Sequence, residues 1–500
     1  MKHSFCKYFA AALLLALPLA FASCEGALDD ILGEWSRPSG NNSNTDSDKA
    51  SGTYIVYTAA GVSKNETIPT SATKWTGTVI PGDVAAGTYV VEGTATCAGQ
   101  LVLKGEVNLI LKDGAKLTVD DGITYDTTGD VGSLNIYAQS TGSSKGQLVV
   151  NNNTPTAPGP MATAVIAKSL TIHGGKITAT ADTGTTPCNS GYGLRVSDND
   201  MIIYDGEITS QSPLSSLCVY EGNLYIHGGT ITSTSTLLYP GIWVNSTGTT
   251  VGNFYVTGGT IEANGNSSEG INATNEIRID GGTVTANGGK GQRGIASTTL
   301  TINSGTVIAN GGEGYESTGD LITVMPGGDA IKATIVINGG NVTATGGKGN
   351  VINITSDSDG GNGITGTLTV NGGTLTATGG AGDGTGYGGV GIEGIATFDG
   401  GTITAKGTEN RAIIAVGAIN INNGITSVTL INTVATANIA SSTNWIGVGA
   451  GSLSFGGTDI TEKWWIDSFS DPEASHKYRT TTIAVERDGT SLILTKYVAP

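Results

Sequence analysis

Short segments in which apolar and polar residues alternate recur along most of the chain, separated by glycine-rich turns. One repeat reads GINA from Gly270, IRID from Ile277 and TVTA from Thr283. Alternation with a period of two and many β-branched residues is typical of strands with one buried face. Each repeat therefore predicts three short strands joined by three turns.

A glycine pair marks the same point in most repeats, as in IHGGTITSTS from Ile226 and VNGGTLTATG from Val370. The second residue of this turn falls at positions 175, 206, 229, 259, 282, 305, 340, 373 and 401. Only 23 residues separate position 206 from 229, which leaves no room for a helix between strands. Longer spacings indicate loops inserted at a turn. We predict an all-β fold, a right-handed parallel β-helix that forms a three-faced solenoid.

Composition and charge narrow the choice of partners. Glycine makes up 78 of the 500 residues and charged residues 13%, against usual shares of about 7% and about 25%. The formal net charge of -17 argues against nucleic acid or an anionic membrane surface as a partner. Neutral glycans and cations are compatible with this charge, and we expect a monomer.

The first residues indicate export and lipidation. Lys2 and Lys7 precede an apolar run that ends at Ala22, and Cys24 follows. Such a run is too short to span a bilayer comfortably and is typical of a secretory signal. The cysteine resembles that of a bacterial lipobox, although Phe21 stands where Leu is more usual. We predict a lipidated (palmitoylated) Cys24 that anchors the protein in a membrane; the alternative is a cleaved signal with an incidental cysteine.

Acidic residues soon after this cysteine, including Asp29 and Asp30, loosely resemble signals that send lipoproteins to the cell surface. We expect an outer-membrane lipoprotein on the cell surface, with a periplasmic orientation as the alternative. The predicted organisation is a signal peptide at 1–23, a lipidated tether at 24–52, a β-rich N-terminal cap at 53–100, the β-helix at 101–425, and C-terminal coils with a cap at 426–500.

One outward strip is the candidate ligand surface. If Leu224, Ile226 and their counterparts point inward, then Tyr225, Tyr255 and Arg278 point outward on three successive coils. By the same rule Trp243 points outward on a neighbouring strand, with Arg195 two coils earlier. Aromatic faces and polar groups suit sugar rings. The alternative is that these aromatics only stack across strands.

The long turn insertions are the candidate metal site. SDSDGGNG from Ser356 offers alternating oxygen ligands, and adjacent coils carry acidic residues in equivalent insertions. Hard cations bind several such oxygens. The predicted calcium ligands are Asp320, Asp329, Asp357, Asp359, Asn362 and Asp383, with solvated acidic loops as the alternative.

Two further features of the sequence concern the turns and the cysteines. The turn residues before the glycine pairs are expected to be structural: His173, Tyr204, His227, Asp280, Asn303, Asn338, Asn371 and Asp399. Cys188 and Cys218 are about one repeat apart, so a disulfide between them is left open.

Three segments carry a family resemblance: LILKDGAKLTV, SLNIYAQSTGSSKGQL and the repeated GGTVTATGG-type phrase. Together they resemble the bacterial carbohydrate-binding parallel β-helix domains, related in fold to pectate lyases, across approximately residues 75–425. The resemblance implies polysaccharide or oligosaccharide binding by a surface lipoprotein, with calcium held in loops, and it does not imply lyase activity. A lyase needs a positioned base beside acidic ligands, and no arginine in the repeats sits beside an evident acidic cluster. We therefore expect a glycan-binding protein rather than an enzyme; a structural adhesin and, less favoured, a polysaccharide lyase are the alternatives.

Overall fold

The computed structural model describes residues 50–59, 61–152, 162–181, 191–246, 252–316, 324–350, 357–408, 413–415, 418–432, 446–448, 453–455, 458–459, 478–479, 483–488 and 491–496. Throughout these residues the chain is all-β. Strands pair in parallel with strands one coil away, so the described chain winds into a parallel β-helix. The predicted fold is confirmed.

Three parallel faces, here named A, B and C, make up each coil. Face A contains β4 (Gly82–Val84), β6 (Leu101–Leu103), β9 (Ile123–Tyr125), β12 (Val165–Ala167), β15 (Leu194–Val196), β18 (Leu217–Tyr220), β21 (Ile242–Asn245), β36 (Ile413–Ala415) and β39 (Ile446–Val448). Face B contains β7 (Glu106–Leu111), β10 (Ser133–Ala138), β13 (Ser169–Ile172), β16 (Met201–Ile203), β19 (Leu224–Ile226), β22 (Phe254–Val256), β37 (Ile419–Ile421) and β40 (Leu453–Phe455). Five long strands run through both faces: β24 (Ile271–Ile279), β26 (Ile295–Ile302), β30 (Ile331–Ile337), β32 (Ile364–Val370) and β34 (Ile392–Phe398).

The strands of face C contain many threonines. It contains β8 (Lys116–Val119), β11 (Gln147–Asn152), β14 (Lys176–Ala181), β17 (Glu207–Ser212), β20 (Thr230–Ser235), β23 (Thr260–Asn264), β25 (Thr283–Asn287), β27 (Thr306–Asn310), β31 (Asn341–Thr345), β33 (Thr374–Thr378), β35 (Gly401–Gly407) and β38 (Ile425–Asn432). At the N-terminal end, β3 (Thr73–Thr78) pairs in parallel with β5 (Gly87–Cys97), which continues into faces B and C. Parallel pairing thus starts inside the 53–100 range.

Antiparallel strands accompany the parallel coils. A hairpin of β1 (Thr53–Tyr57) and β2 (Ser63–Thr67) precedes the first coil. At the other end, β44 (Ser491–Lys496) pairs antiparallel with β38 and with β43 (Ile483–Asp488), which also pairs with β42 (Tyr478–Arg479). Within the described residues there are two further short antiparallel pairs: β28 (Tyr315–Glu316) with β29 (Val324–Met325), and β41 (Thr458–Asp459) with β40.

The core is a continuous column of aliphatic side chains inside the coil. Leu224, Ile226, Phe254 and Val256 are each 0% exposed. Burying such a side chain contributes about 1.5–3 kcal/mol relative to leaving it in water. Because these inward positions are fixed, the residue between them on each strand must point outward. The inward and outward assignments made from the sequence are confirmed for these strands.

The glycine turns between faces B and C lie in one column along the coil axis. Gly229 and Gly259 have φ values of +85° and +88°. A Cβ on Gly259 would lie 2.8 Å from the carbonyl oxygen of Gly229, one coil earlier. Glycine is therefore required both by the left-handed backbone and by the close approach of the next coil.

Glycine backbones also stack where face C turns into face A. Gly347 N–H donates to the Gly328 carbonyl at 2.8 Å, Gly361 N–H to Gly347 at 2.7 Å, and Gly380 N–H to Gly361 at 2.8 Å. The glycines before and after each long loop thus alternate in one hydrogen-bonded stack. The stack holds the two ends of each inserted loop in place. The sequence pattern did not predict it.

Candidate functional site

The outer surface of face B carries two stacked tyrosines. Tyr225 in β19 pairs in register with Tyr255 in β22, one coil further along. Their ring centroids lie 5.2 Å apart with an interplanar angle of 23°. Since both residues lie between two buried neighbours, both rings stand on the outside of the coil. The predicted alignment of this pair is confirmed.

Stacking determines what this pair presents to a ligand. Each ring covers one face of the other, so ring edges and hydroxyl groups point outward instead of a flat strip of open faces. Burial raises the pKa of both phenols; the carboxylate of Asp200 adds to this for Tyr225, and that of Glu276 for Tyr255. Both hydroxyls are therefore protonated donors at neutral pH. The Tyr255 hydroxyl donates to Glu276 Oε2 at 3.4 Å.

Arg278 lies next to this pair. It pairs in register with Tyr255 and is exposed, as expected from the alternation. Its Nε donates to Oδ1 of Asp280 at 3.0 Å. The guanidinium is thus tethered toward the turn after face B, and its positive charge is balanced locally.

A groove of about 680 Å³ lies where face A turns into face B. Thr171 and Ile202 line it on the face B side, and Ile202 is one coil before Tyr225 in the same column. Asp198, Asp200 and Glu221 line it on the turn side. The groove therefore brings carboxylates next to the tyrosine column. Sequence reasoning missed it.

Hydrogen bonds between neighbouring coils hold the wall of this groove. Asp200 Oδ1 accepts from the backbone N–H of Asn223 at 2.8 Å and from its Nδ2 at 3.1 Å. Asn253 Nδ2 donates to Asn223 Oδ1 at 2.9 Å, and Asn275 Nδ2 to Asn253 Oδ1 at 2.7 Å. A wall fixed in this way costs little further ordering when a ligand binds.

Glu221 occupies an unusual backbone conformation in the groove. Its φ is +65°, and Asp130, in the same type of turn, has a φ of +52°. In the part of the chain that the structure describes, these two are the non-glycine residues with positive φ. Such a conformation costs an ordinary residue about 1–2 kcal/mol, and glycine much less. Backbone strain of this kind is concentrated at functional sites.

Arg195 and Trp243 form a separate cluster on face A. They lie two coils apart in one column, with Cys218 between them, as the sequence predicted for their spacing. The Trp243 ring stacks on Tyr239 at 4.9 Å, and the Arg195 guanidinium lies 4.7 Å from the centre of the Tyr192 ring. The five predicted ligand residues thus divide between faces B and A, with the groove at the turn between these faces.

Cys218 is buried beneath this aromatic cluster. It is 0% exposed, and burial raises the pKa of its thiol to about 12. Tyr192 and Leu214 pack against it. The thiol is therefore protonated and shielded. Cys188, its possible disulfide partner, lies outside the described residues.

The predicted calcium ligands bind backbone groups of neighbouring loops. Asp357 Oδ1 accepts from Thr385, and Asp359 Oδ1 accepts from the backbone N–H of Tyr387 at 2.7 Å. Asp329 Oδ1 accepts from the backbone N–H of Asn362 at 2.9 Å.

Two further members of this set are described. Asn362 Nδ2 donates to Oε2 of Glu393 at 2.6 Å and its Oδ1 accepts from the N–H of Val390 at 2.9 Å, and Asp383 Oδ1 accepts from the N–H of Gly384. Asp320 lies outside the described residues. Within the described ranges no three acidic, cysteine or histidine side chains converge on a metal position. Each described carboxylate instead satisfies loop N–H groups, and the calcium site stays a prediction.

Cys24 also lies outside the described residues, so the structure does not bear on the lipid anchor. Within the described part of the chain, no helix has the length and apolar character needed to cross a membrane.

A signal for the groove was present in the sequence. Acidic or amide residues precede successive face B strands, as in DND at 198–200, EGN at 221–223 and GN at 252–253. These residues occur at the turn between faces A and B. Together with the outward strand centres, these turn residues indicate polar groups beside Tyr225.

Comparison with known proteins found no matching family model, no matching curated protein and no matching solved structure.

Proposed function

We propose that this protein is a lipid-anchored, extracytoplasmic glycan-binding protein. Its proposed binding surface is the outside of face B around Tyr225 and Tyr255 together with the adjoining groove. The observation that carries the proposal is the direct continuation of the groove into the tyrosine column through Ile202. The stacked tyrosine faces cover each other, but the ring edges and hydroxyls offer apolar contact and hydrogen bonds beside fixed polar groups.

The charge of the groove favours one class of glycan. Asp198, Asp200 and Glu221 contribute carboxylates, whereas the nearby Lys168 is ion-paired with Asp198 and Asp130. A uronate or sulfated chain would meet like charge here. Carboxylates accept hydrogen bonds from sugar hydroxyls and attract protonated amines. The proposed ligands are therefore neutral or amino-sugar polysaccharides.

Binding is favoured over lysis by the state of Arg278, the guanidinium next to the tyrosine pair. A lyase base must reach the proton beside a uronate carboxylate. The Arg278 side chain is instead held by Asp280, and the groove favours uncharged sugars. The cell-surface location and the Cys24 anchor enter this proposal from the sequence alone.

The decisive experiment is an affinity-gel screen of the folded domain without its signal peptide. The panel contains neutral, amino-sugar, uronate and sulfated polysaccharides, each run with calcium and with a chelator. We expect retention by at least one neutral or amino-sugar polymer, and at least tenfold weaker retention for the Tyr225→Ala/Tyr255→Ala variant. Tyr387→Ala is the matched control, because this tyrosine is 73% exposed and lies in a loop away from the groove.

Other outcomes have distinct meanings. If the double variant is retained as strongly as the parent, the binding site lies elsewhere on the protein. An absence of retention on every polymer would favour the structural adhesin, and chain shortening during incubation would favour the lyase. If retention is seen with calcium and lost with the chelator, the calcium prediction is supported.

A further inference from the structure

An aromatic column follows the turn between faces B and C. Tyr137, His173, Tyr204 and His227 stack one coil after another, with centroids 4.5, 5.0 and 5.0 Å apart and interplanar angles of 8°, 17° and 14°. The next coil places Thr257 in this column, and its side chain is exposed. In the described chain the ring stack therefore ends at His227.

The N-terminal hairpin of β1 and β2 crosses this column. Tyr57 stacks on Tyr204 at 5.8 Å and 6°, and its backbone N–H donates to Nδ1 of His173 at 2.9 Å. Beneath it, Tyr54 packs edge-on against Tyr137 at 5.0 Å. These contacts fix the hairpin, so the residues after Tyr57 overhang the end of the stack.

A cleft of about 370 Å³ is left below this overhang, and we call it the hairpin cleft. Its lining consists of Tyr57, Ala59, Gly61, Tyr204, His227 and Thr257. The volume is at the lower end of the range for small-ligand sites. The Tyr57 hydroxyl donates to Oδ2 of Asp205 at 3.2 Å, and Oγ1 of Thr257 is hydrogen-bonded to Nδ1 of His227 at 2.9 Å. The cleft thus combines ring surface with polar groups that are already held in place, which suits a small polar ring better than a purely aromatic one.

The hairpin cleft adjoins the tyrosine pair. Tyr225 and His227 are alternate residues of the strand region ending face B, and their rings lie 6.5 Å apart with an angle of 9°. Successive outward positions on a strand are about 6.6 Å apart, which is close to the length of one sugar unit. A glycan that contacts Tyr225 can therefore reach His227 by continuing along the strand direction.

We propose that the hairpin cleft is a subsite for one neutral pyranose ring, which packs against the end of the aromatic stack at His227. This subsite rests on the proposed glycan-binding function and extends the ligand path across face B, from the groove over the tyrosine edges to the hairpin. A ligand chain thus lies across the coil, parallel to the strands.

The test uses the single rings N-acetylglucosamine and methyl β-glucoside, followed through the imidazole NMR signals of the folded domain. The chain has four histidines, so His227 can be assigned by substitution. We expect saturable shifts of the His227 signals at about millimolar sugar, the affinity range for a ligand of this size, and smaller shifts for the buried His173.

Two variants at one position separate filling of the cleft from damage to the fold. Thr257→Phe adds a ring where the stack ends, so it should fill the cleft while extending the column, and weaken the sugar response at least tenfold. Thr257→Ser keeps the hydroxyl that is hydrogen-bonded to Nδ1 of His227 at 2.9 Å, and it should retain the response. The subsite would be overturned if the His227 signal did not shift with either sugar. It would also be overturned if the signal shifted equally in the parent and in Thr257→Phe.

Failure of the subsite and failure of glycan binding as a whole give different results. If a polysaccharide is retained through Tyr225 and Tyr255 but Thr257→Phe binds it equally well, the subsite fails while the function stands. If phenol shifts His227 at lower concentration than either sugar, the cleft is an aromatic-ring site and the pyranose assignment is wrong.

Discussion

Asn338 donates from Nδ2 to Oδ1 of Asn303, one coil earlier, at a distance of 2.7 Å. The same bond recurs from Asn371 to Asn338 at 2.7 Å. The sequence favoured asparagine here because its side chain bonds its own backbone at turns. The side chains instead link successive coils, so this turn column ties the solenoid together along its axis.

Replacing Asn338 with Ala should remove two of these links at once. Partly exposed hydrogen bonds contribute modestly, so we expect the free energy of unfolding to fall by about 1 kcal/mol, measured by chemical denaturation. Asn341→Ala is the control, since Asn341 is exposed on face C. Equal losses in the two variants would show that the column adds no stability of its own.

Gly361→Ala tests the glycine stack at the base of the long loops. A Cβ at this position would lie 2.0 Å from the carbonyl oxygen of Gly328, so the backbones must separate. We expect a loss of about 2–3 kcal/mol or more, read from thermal and chemical unfolding. At Gly142 the nearest atom to an added Cβ is 3.6 Å away, and Gly142→Ala should change little. A tolerated Gly361→Ala would mean that the stack yields easily.

The sequence predicted the fold and the tyrosine pair because both follow from local periodicity. Alternation set which side of β19 faces the core, and the glycine turns set which residues of neighbouring coils align. Tyr225 and Tyr255 were placed together by these two rules alone.

The groove and the hairpin cleft depend on information that periodicity does not contain. The groove follows from turn conformations, including the positive φ of Glu221. The hairpin cleft requires Tyr57 to meet His173, which is 116 residues away. The pairing of Arg278 with Asp280 likewise depends on a side-chain rotamer. Such contacts emerge only when the coils are stacked in space.

Stability should depend on pH through His173. Burial lowers its pKa to about 4, whereas the unfolded chain keeps a value near 6.5. Between these values the unfolded state binds more protons, so the free energy of unfolding falls as the pH drops and is fully restored above about pH 7. Burial lowers the pKa of His227 as well, which acts in the same direction.

From pH 7 to pH 5 we expect a loss of about 2 kcal/mol from His173, measured by urea denaturation. His173→Phe keeps a ring in the stack but cannot titrate. Its stability should therefore vary less over this range, even if its value at pH 7 is lower because the Tyr57 N–H loses its acceptor. An unchanged slope in this variant would assign the pH dependence to other groups.

Cys24→Ser tests the anchor. If Cys24 is lipidated, the variant should move from the membrane fraction to the soluble fraction and lose incorporation of labelled palmitate. Cys6→Ser is the control within the same leader, and it should leave both properties intact. Protease treatment of whole cells then distinguishes surface exposure from a periplasmic orientation. Membrane retention of Cys24→Ser would contradict lipid anchoring at this residue.

Glu221→Gly separates stability from ligand binding in the groove. Glycine relieves the positive φ but is itself more costly to order, so the free energy of unfolding should stay level or rise by up to about 1 kcal/mol.

Loss of the carboxylate removes a charged hydrogen-bond acceptor, and we expect about tenfold weaker retention on the polysaccharide found by the affinity-gel screen. Asp130→Gly relieves a similar backbone strain in an earlier turn whose residue does not line the groove. This variant removes one ion-pair partner of Lys168 but leaves the pair between Lys168 and the groove residue Asp198 in place. It should keep full retention. If both variants bind as the parent does, Glu221 holds its conformation for reasons other than the ligand, and its carboxylate does not contact the polysaccharide.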